Sequence, residues 1–113
     1  MRAERGRLWE SRAAAHLESH GLEILTRGYR CRLGEIDLVA EERGVLVFAE
    51  VRMRRAFGFG GAGASVTAAK RARLLAAARL YLTRRPEMQC RFDVFLVDGP
   101  AGDIKWIRDA FGE

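Results

Sequence analysis

Two apolar runs carry acids where a buried strand asks for hydrocarbon. They are Gly34-Glu35-Ile36-Asp37-Leu38-Val39-Ala40 and Val45-Leu46-Val47-Phe48-Ala49-Glu50-Val51-Arg52. Each reads as a strand bounded by turn residues. Burying one unpaired carboxylate is costly, and two that converge are worse unless a positive group lies between them. A divalent cation answers that need, and beside arginines it points to phosphate chemistry.

The runs lie in a chain of 113 residues, the size of one domain, so residues 1–113 are read as a single unit. At 49% hydrophobic residues it has enough apolar material for a core. The formal net charge is +5, and every basic residue except Lys70 and Lys105 is arginine or histidine. A basic domain fits a polyanionic partner, although an arginine bias also follows from genome composition or hot growth. No run approaches the length of a membrane span, and no apolar stretch follows the basic start as in a secretory signal. The expectation is therefore a cytoplasmic protein with no membrane partner. Cys31 and Cys90 form no CxxC pair and read as reduced thiols.

Residues 3–20 read as a first helix stopped by Gly21, with Leu8, Trp9, Ala13, Ala14 and Leu17 as its apolar stripe. Glu10 falls on that stripe and is expected on the core side, either at the rim paired with Arg7 or Arg12, or in a site. His16 and His20 have the i, i+4 spacing of a zinc pair. With no HExxH pattern and no third ligand, they read as surface histidines near the helix C-terminus. Strands are expected over 22–31, 35–40 and 45–53, the last two joined by a turn at 41–44. The glycine-rich stretch at 57–64 lacks the GK[ST] ending of a P-loop and reads as a flap. A second helix is expected over 67–85, closed by Pro86, with Leu74, Leu75, Ala78, Tyr81 and Leu82 buried. Strands over 91–98 and 104–107 complete the order αβββαββ. Strands three and four, joined through a helix, should be parallel in a mixed β-sheet flanked by helices, an α/β fold.

If the turn is the two residues Arg43-Gly44, Glu42 faces Val45, hence Asp37 faces Glu50 and Glu35 faces Arg52; a four-residue turn shifts the register by two and makes the acids diagonal neighbours. Alternation puts Glu35 and Asp37 on one face, and Glu50 and Arg52 on a face with Leu46 and Phe48. Like charges facing each other destabilise a hairpin. Bound Mg2+ or Mn2+ would remove the conflict, acidify a water and neutralise phosphate charge. The plainer alternative is ordinary ion pairing of Asp37 with Arg30 or Arg32 and of Glu50 with Arg52.

The order Gly34-Glu35-Ile36-Asp37-Leu38, Phe48-Ala49-Glu50-Val51-Arg52, Phe57-Gly58, Lys70, then Arg91-Phe92-Asp93-Val94 resembles the YraN-like family of small bacterial proteins. These are predicted endonucleases related to archaeal Holliday junction resolvases. The resemblance covers nearly the whole chain. It implies the restriction-endonuclease-like PD-(D/E)xK fold and a metal-dependent nuclease that hydrolyses phosphodiester bonds in DNA, including branched, Holliday-junction-like DNA, through a metal-activated water. It implies Asp37 and Glu50 as ligands of Mg2+ or Mn2+, with Glu10 as an additional acid near the metal. Arg52 stands where the motif has lysine. Arginine keeps its proton, so it can only orient a water or stabilise negative charge. Lys70, just inside the second helix, is a candidate replacement.

Arg52, Arg54, Arg55, Lys70, Arg71 and Arg73 form the candidate nucleic-acid-binding set, acting on backbone phosphates. Their plain alternative is a solvated helix face. No base-reading motif is present. Two symmetric cuts would call for a homodimer, with Phe57, Phe59 and Trp106 as apolar candidates for interface or core. Two other readings stand beside the enzyme: a non-catalytic nucleic-acid-binding module that retains the nuclease fold, and an interaction protein without nucleic acid.

Overall fold

The structure, a computed structural model, describes residues 2–53, 67–85, 87–97 and 103–111, with the side chains of residues 2–7 and 53 excepted. Arg54, Arg55, Phe57, Phe59, the glycine-rich stretch and Pro86 lie outside the described residues. The elements are α1 (Arg2–Ser19), β1 (Glu23–Cys31), β2 (Gly34–Glu42), β3 (Val45–Met53), α2 (Ala68–Leu82), β4 (Gln89–Val97) and β5 (Ile104–Phe111). The order αβββαββ is the expected one. The fifth strand runs four residues further than its short apolar run suggested.

The strands form one sheet in the order β1-β2-β3-β4-β5, antiparallel except where β4 lies parallel to β3. The parallel pair follows from α2, which intervenes between those strands in sequence. Each helix covers one face. Ala13, Ala14 and Leu17 of α1 pack on Leu38, Ala40, Val47, Ala49 and Phe95. Leu74, Ala77, Ala78 and Tyr81 of α2 pack on Ile36, Val39, Leu46, Phe48, Phe92 and Val94. Because both faces of β2, β3 and β4 are covered, those strands read as nearly unbroken apolar runs. Leu8, placed on the stripe of α1 by spacing, is instead 46% exposed, since the stripe is buried against the sheet only from Ala13 onward.

Of the two turn lengths open to the β2–β3 hairpin, the structure has the two-residue one. Arg43 and Gly44 both take positive φ, 50° and 86°, the pattern that matches strand twist in a tight hairpin. Glu42 pairs with Val45, and the ladder continues to Leu38 and Ala49. Gly34 has a separate cause: a Cβ there would lie 2.7 Å from the Arg73 carbonyl oxygen. Glycine lets α2 approach the start of β2 closely, and that approach brings Lys70 and Arg73 beside the acidic run.

In the middle of β4, opposite Ala49 of β3, Asp93 is 1% exposed. Its carboxylate accepts from Arg91 Nε at 3.0 Å, Trp106 Nε1 at 2.8 Å and the Asp109 backbone N–H at 2.9 Å. That last bond holds Asp109 at φ 52° where the β4–β5 register shifts. Arg91 also reaches Glu42 at 2.8 Å and holds its carboxyl below the usual range. Arg91 and Asp93 therefore tie β5 to Glu42 at the turn end of the β2–β3 hairpin. Cys31 and Cys90 are free thiols, as expected.

Candidate functional site

The site lies where β2 and β3 part. Their ladder stops at Leu38–Ala49, and Asp37 fills the opening: its Oδ2 accepts from the Val51 backbone N–H at 2.9 Å. A carboxylate thus replaces the next backbone acceptor and stands between the strands. The alternation of faces slips at the same place. Ile36 packs with Val39 under α2, while Leu38 packs under α1 with Ala40. On β1, Gly28 absorbs the matching distortion with φ 64°, between the Arg27–Leu38 and Tyr29–Ile36 pairs. The even alternation expected for Glu35 and Asp37 does not hold here. Glu35 pairs across the β1–β2 hairpin with Arg30, Nε to Oε2 at 3.3 Å, and not with Arg52.

Asp37 gathers acids from two other elements. Glu10 comes down from α1 and Glu50 lies on β3, and each hydrogen-bonds the Asp37 carboxylate. Burial, then the charge and hydrogen bond of Asp37, push Glu10 up to about 7. The same causes in the same order push Glu50 up to about 8. Near neutral pH each can therefore carry the proton it donates to Asp37. The Glu50 side chain is only 12% exposed. Glu10 thus lies beside Asp37, and Asp37 meets neither Arg30 nor Arg32 in a salt bridge among the described residues, whereas Glu50 does pair with Arg52 as the plainer alternative expected.

Cations stand beside the acids. Arg52 Nη1 is 3.5 Å from Glu50 Oε2, with 21% of its side chain exposed. The charge of Lys70 also acts on Glu50, pulling its pKa down against the larger upward effects. Lys70 and Arg71 occupy the first turn of α2, behind Thr67, whose Oγ1 accepts from the Lys70 N–H at 3.2 Å. No acid occupies that turn, although the helix dipole favours one there. The beginning of α2 is thus a concentration of positive charge facing Glu50. Arg73 is exposed on the same helix, and Arg71 stands 6.0 Å from the Phe111 ring.

A cleft of about 580 Å³ opens beside Glu50. Arg30, Cys31 and Glu35 of the β1–β2 hairpin form one wall, and Lys70, Arg73 and Leu74 of α2 form the other. Sequence reasoning overlooked Arg30 and Glu35. Their pairing was legible from the two-residue turn Arg32-Leu33, which places them across from each other.

Among the described residues no group of three or more His, Cys, Asp or Glu side chains is placed to hold a metal ion. Asp37 acts on the charge of both Glu10 and Glu50, and their carboxylates are hard oxygen donors, the chemical type that Mg2+ or Mn2+ takes. His16 and His20 lie elsewhere, with ring centroids 4.5 Å apart, packed edge-on against Trp106. His20 Nδ1 lies 2.8 Å from the His16 carbonyl, closing the end of α1. Trp106 stacks on Phe95, so it is at least partly core. No described helix is long and apolar enough to cross a membrane.

Comparison with known proteins gives a consistent kinship. A family model described as "Uncharacterised protein family UPF0102" matches residues 9–97. A UPF0102 protein of Dechloromonas aromatica is 51% identical over 107 residues, covering 95% of this chain and 88% of its own. A UPF0102 protein of Nitrosomonas europaea is 50% identical over 106 residues, covering 92% and 90%. One from Ralstonia pickettii is 51% identical over 116 residues, covering 97% and 91%.

Proposed function

From a chain that belongs to the UPF0102 family, the YraN family its motifs resemble, we infer a divalent-metal-dependent nuclease that hydrolyses phosphodiester bonds in DNA. The observation that carries this reading is the meeting of Glu10, Asp37 and Glu50 at the opening between β2 and β3, with Arg52 and Lys70 alongside. A fold that needed only stability would not bring three carboxylates together. The restriction-endonuclease-like fold belongs to the same proposal, supported by the mixed sheet with a helix on each face and acids at the strand divergence.

Asp37 and Glu50 would hold Mg2+ or Mn2+, with Glu10 as a third oxygen donor. When bound, the ion would supply Lewis-acid stabilisation of phosphate charge and a more acidic water. The chain's own groups do the rest. Arg52 keeps its proton and can pair with a phosphate oxygen or orient the attacking water. Lys70 is the nearby side chain that, unlike arginine, has a neutral amine form, and in that form it is the candidate to take a proton from that water. Arg71 and Arg73 extend the positive surface along α2 for backbone phosphates; Arg54 and Arg55, outside the described residues, belong to the same proposed set. A homodimer would supply two such centres for paired cuts in branched DNA, and a cytoplasmic site of action goes with free thiols.

Arg52 in the lysine position favours one second reading, a nucleic-acid-binding module without efficient chemistry. The test is incubation with duplex, single-stranded and four-way-junction DNA in Mg2+, Mn2+ or EDTA. Metal-dependent cleavage that disappears in Asp37→Ala and Glu50→Ala establishes the enzyme. Binding without cleavage in either metal establishes the module, and no binding at low salt discards both. Lys70→Met distinguishes the base: it should abolish cleavage, and a harmless Lys70→Met removes lysine from the mechanism.

A further inference from the structure

We propose that the cleft beside Glu50 seats one unpaired nucleotide, with the Arg30 guanidinium stacked on its base. This rests on the nuclease reading for the role of Glu50, and it adds the substrate class: strands with unpaired segments, such as single strands, frayed ends and flaps, in preference to continuous duplex.

Size is the first argument. A volume of about 580 Å³ belongs to pockets that enclose one small molecule. Glu50, at the floor, has 12% of its side chain exposed. A phosphate must come down into the cleft to approach it. In an intact duplex the bases are paired and stacked inside, so none can enter a cleft of about 580 Å³ without unpairing. A single strand with its bases turned out can.

The wall chemistry is the second argument. Lys70 and Arg73 on α2 suit the backbone phosphates. Leu74 and Cys31 offer an apolar and polarisable surface to a base face. Glu35 offers an acceptor for a base amino group. Arg30 and Glu35 are paired at 3.3 Å, but their side chains are 83% and 61% exposed. Such a pair contributes little stability, so Arg30 exchanges it readily for a stacked base.

The hairpin tip supplies the third. Leu33 sits in the two-residue turn between Cys31 and Gly34 and is 41% exposed. Its neighbours Cys31 and Gly34 line the cleft, so an exposed apolar side chain is available beside it to cover the next base once stacking is interrupted.

The test exploits a difference in charge density. A basic surface alone favours duplex, which packs more phosphates per unit length and gives the steeper salt response. Binding of a labelled strand and of the same strand annealed is measured by fluorescence anisotropy in EDTA, where metal-dependent cleavage cannot intrude. The unpaired strand should bind at least about fivefold more tightly, the scale of one stacked base. Arg30→Ala should bring the two affinities within about twofold of each other. Arg30→Lys, which keeps the charge but loses the planar fork, should not restore the preference. Bound single strand should also slow alkylation of Cys31 by iodoacetamide several-fold, with Cys90 as the internal control. Duplex bound as tightly as single strand overturns the proposal, as does wild-type preference in Arg30→Lys. The two readings fail separately. Cleavage that needs Asp37 and Glu50, with no preference for unpaired strands, removes the nucleotide subsite alone. A preference for unpaired strands without cleavage in any metal removes the nuclease alone. No binding at low salt removes both.

Discussion

Glu50 is the residue whose state decides how the site behaves without metal. Its folded pKa of about 8, and that of about 7 for Glu10, lie above the ordinary 4.5. Between pH 4.5 and 8 the folded protein therefore keeps protons that the unfolded chain releases. Unfolding then becomes easier as pH rises through that window. In EDTA, the thermal midpoint should fall from pH 5 to pH 9. Glu50→Gln, which keeps the hydrogen bond and cannot ionise, should flatten much of that fall; an unchanged pH profile would show that burial of Glu50 has no such cost. Asp93 makes the contrast. It is equally acidic in sequence and more deeply buried, yet its donors are all supplied by Arg91, Trp106 and the Asp109 backbone. Asp93→Ala strands those donors and should cost roughly 2–4 kcal/mol in denaturant unfolding, with the β5 amides losing hydrogen-exchange protection first.

Among the elements, the approach of α2 to the start of β2 is the contact that assembles the cleft. Gly34 permits it, since a Cβ would stand 2.7 Å from the Arg73 carbonyl. Gly34→Ala must push α2 away or bend β2, at a cost of roughly 1–3 kcal/mol. Urea unfolding should register the loss, and nucleic-acid binding should weaken beyond what the loss of folded protein explains. The β2–β3 turn behaves oppositely. Arg43 holds φ 50° on a long side chain in a position that favours asparagine or glycine. Arg43→Asn should stabilise the protein by about 0.5 kcal/mol without affecting the site, which lies at the other end of the hairpin.

For the molecule as a whole, a mixed sheet between two helices creates one place where chains diverge without losing a hydrogen bond, because Asp37 accepts from Val51. Three elements deliver acids to it. A cation bound only by the folded form raises stability by mass action, about 2.7 kcal/mol at a hundredfold excess over Kd. Mn2+ or Mg2+ at pH 8 should raise the thermal midpoint of the wild type and leave Asp37→Asn nearly unmoved. Equal shifts in both proteins would place the ion elsewhere.

Much of the architecture was legible in the sequence. Periodicity and turn chemistry act over a few residues, so the element order, the Arg43-Gly44 turn and the resulting neighbourhood of Asp37 and Glu50 follow from local rules. The spacing of Glu10 pointed it toward the core but left its partner open. Only tertiary packing decided that α1 sets Glu10 onto Asp37, that alternation slips at Gly28 and Asp37, and that Glu35 turns to Arg30 and not to Arg52. It also decided that Gly34 serves the approach of a helix 39 residues further along the chain at Arg73. Dihedral preference and side-chain period are written residue by residue. Where one element docks on another depends on the volumes and charges of both together, and no single stretch contains that information.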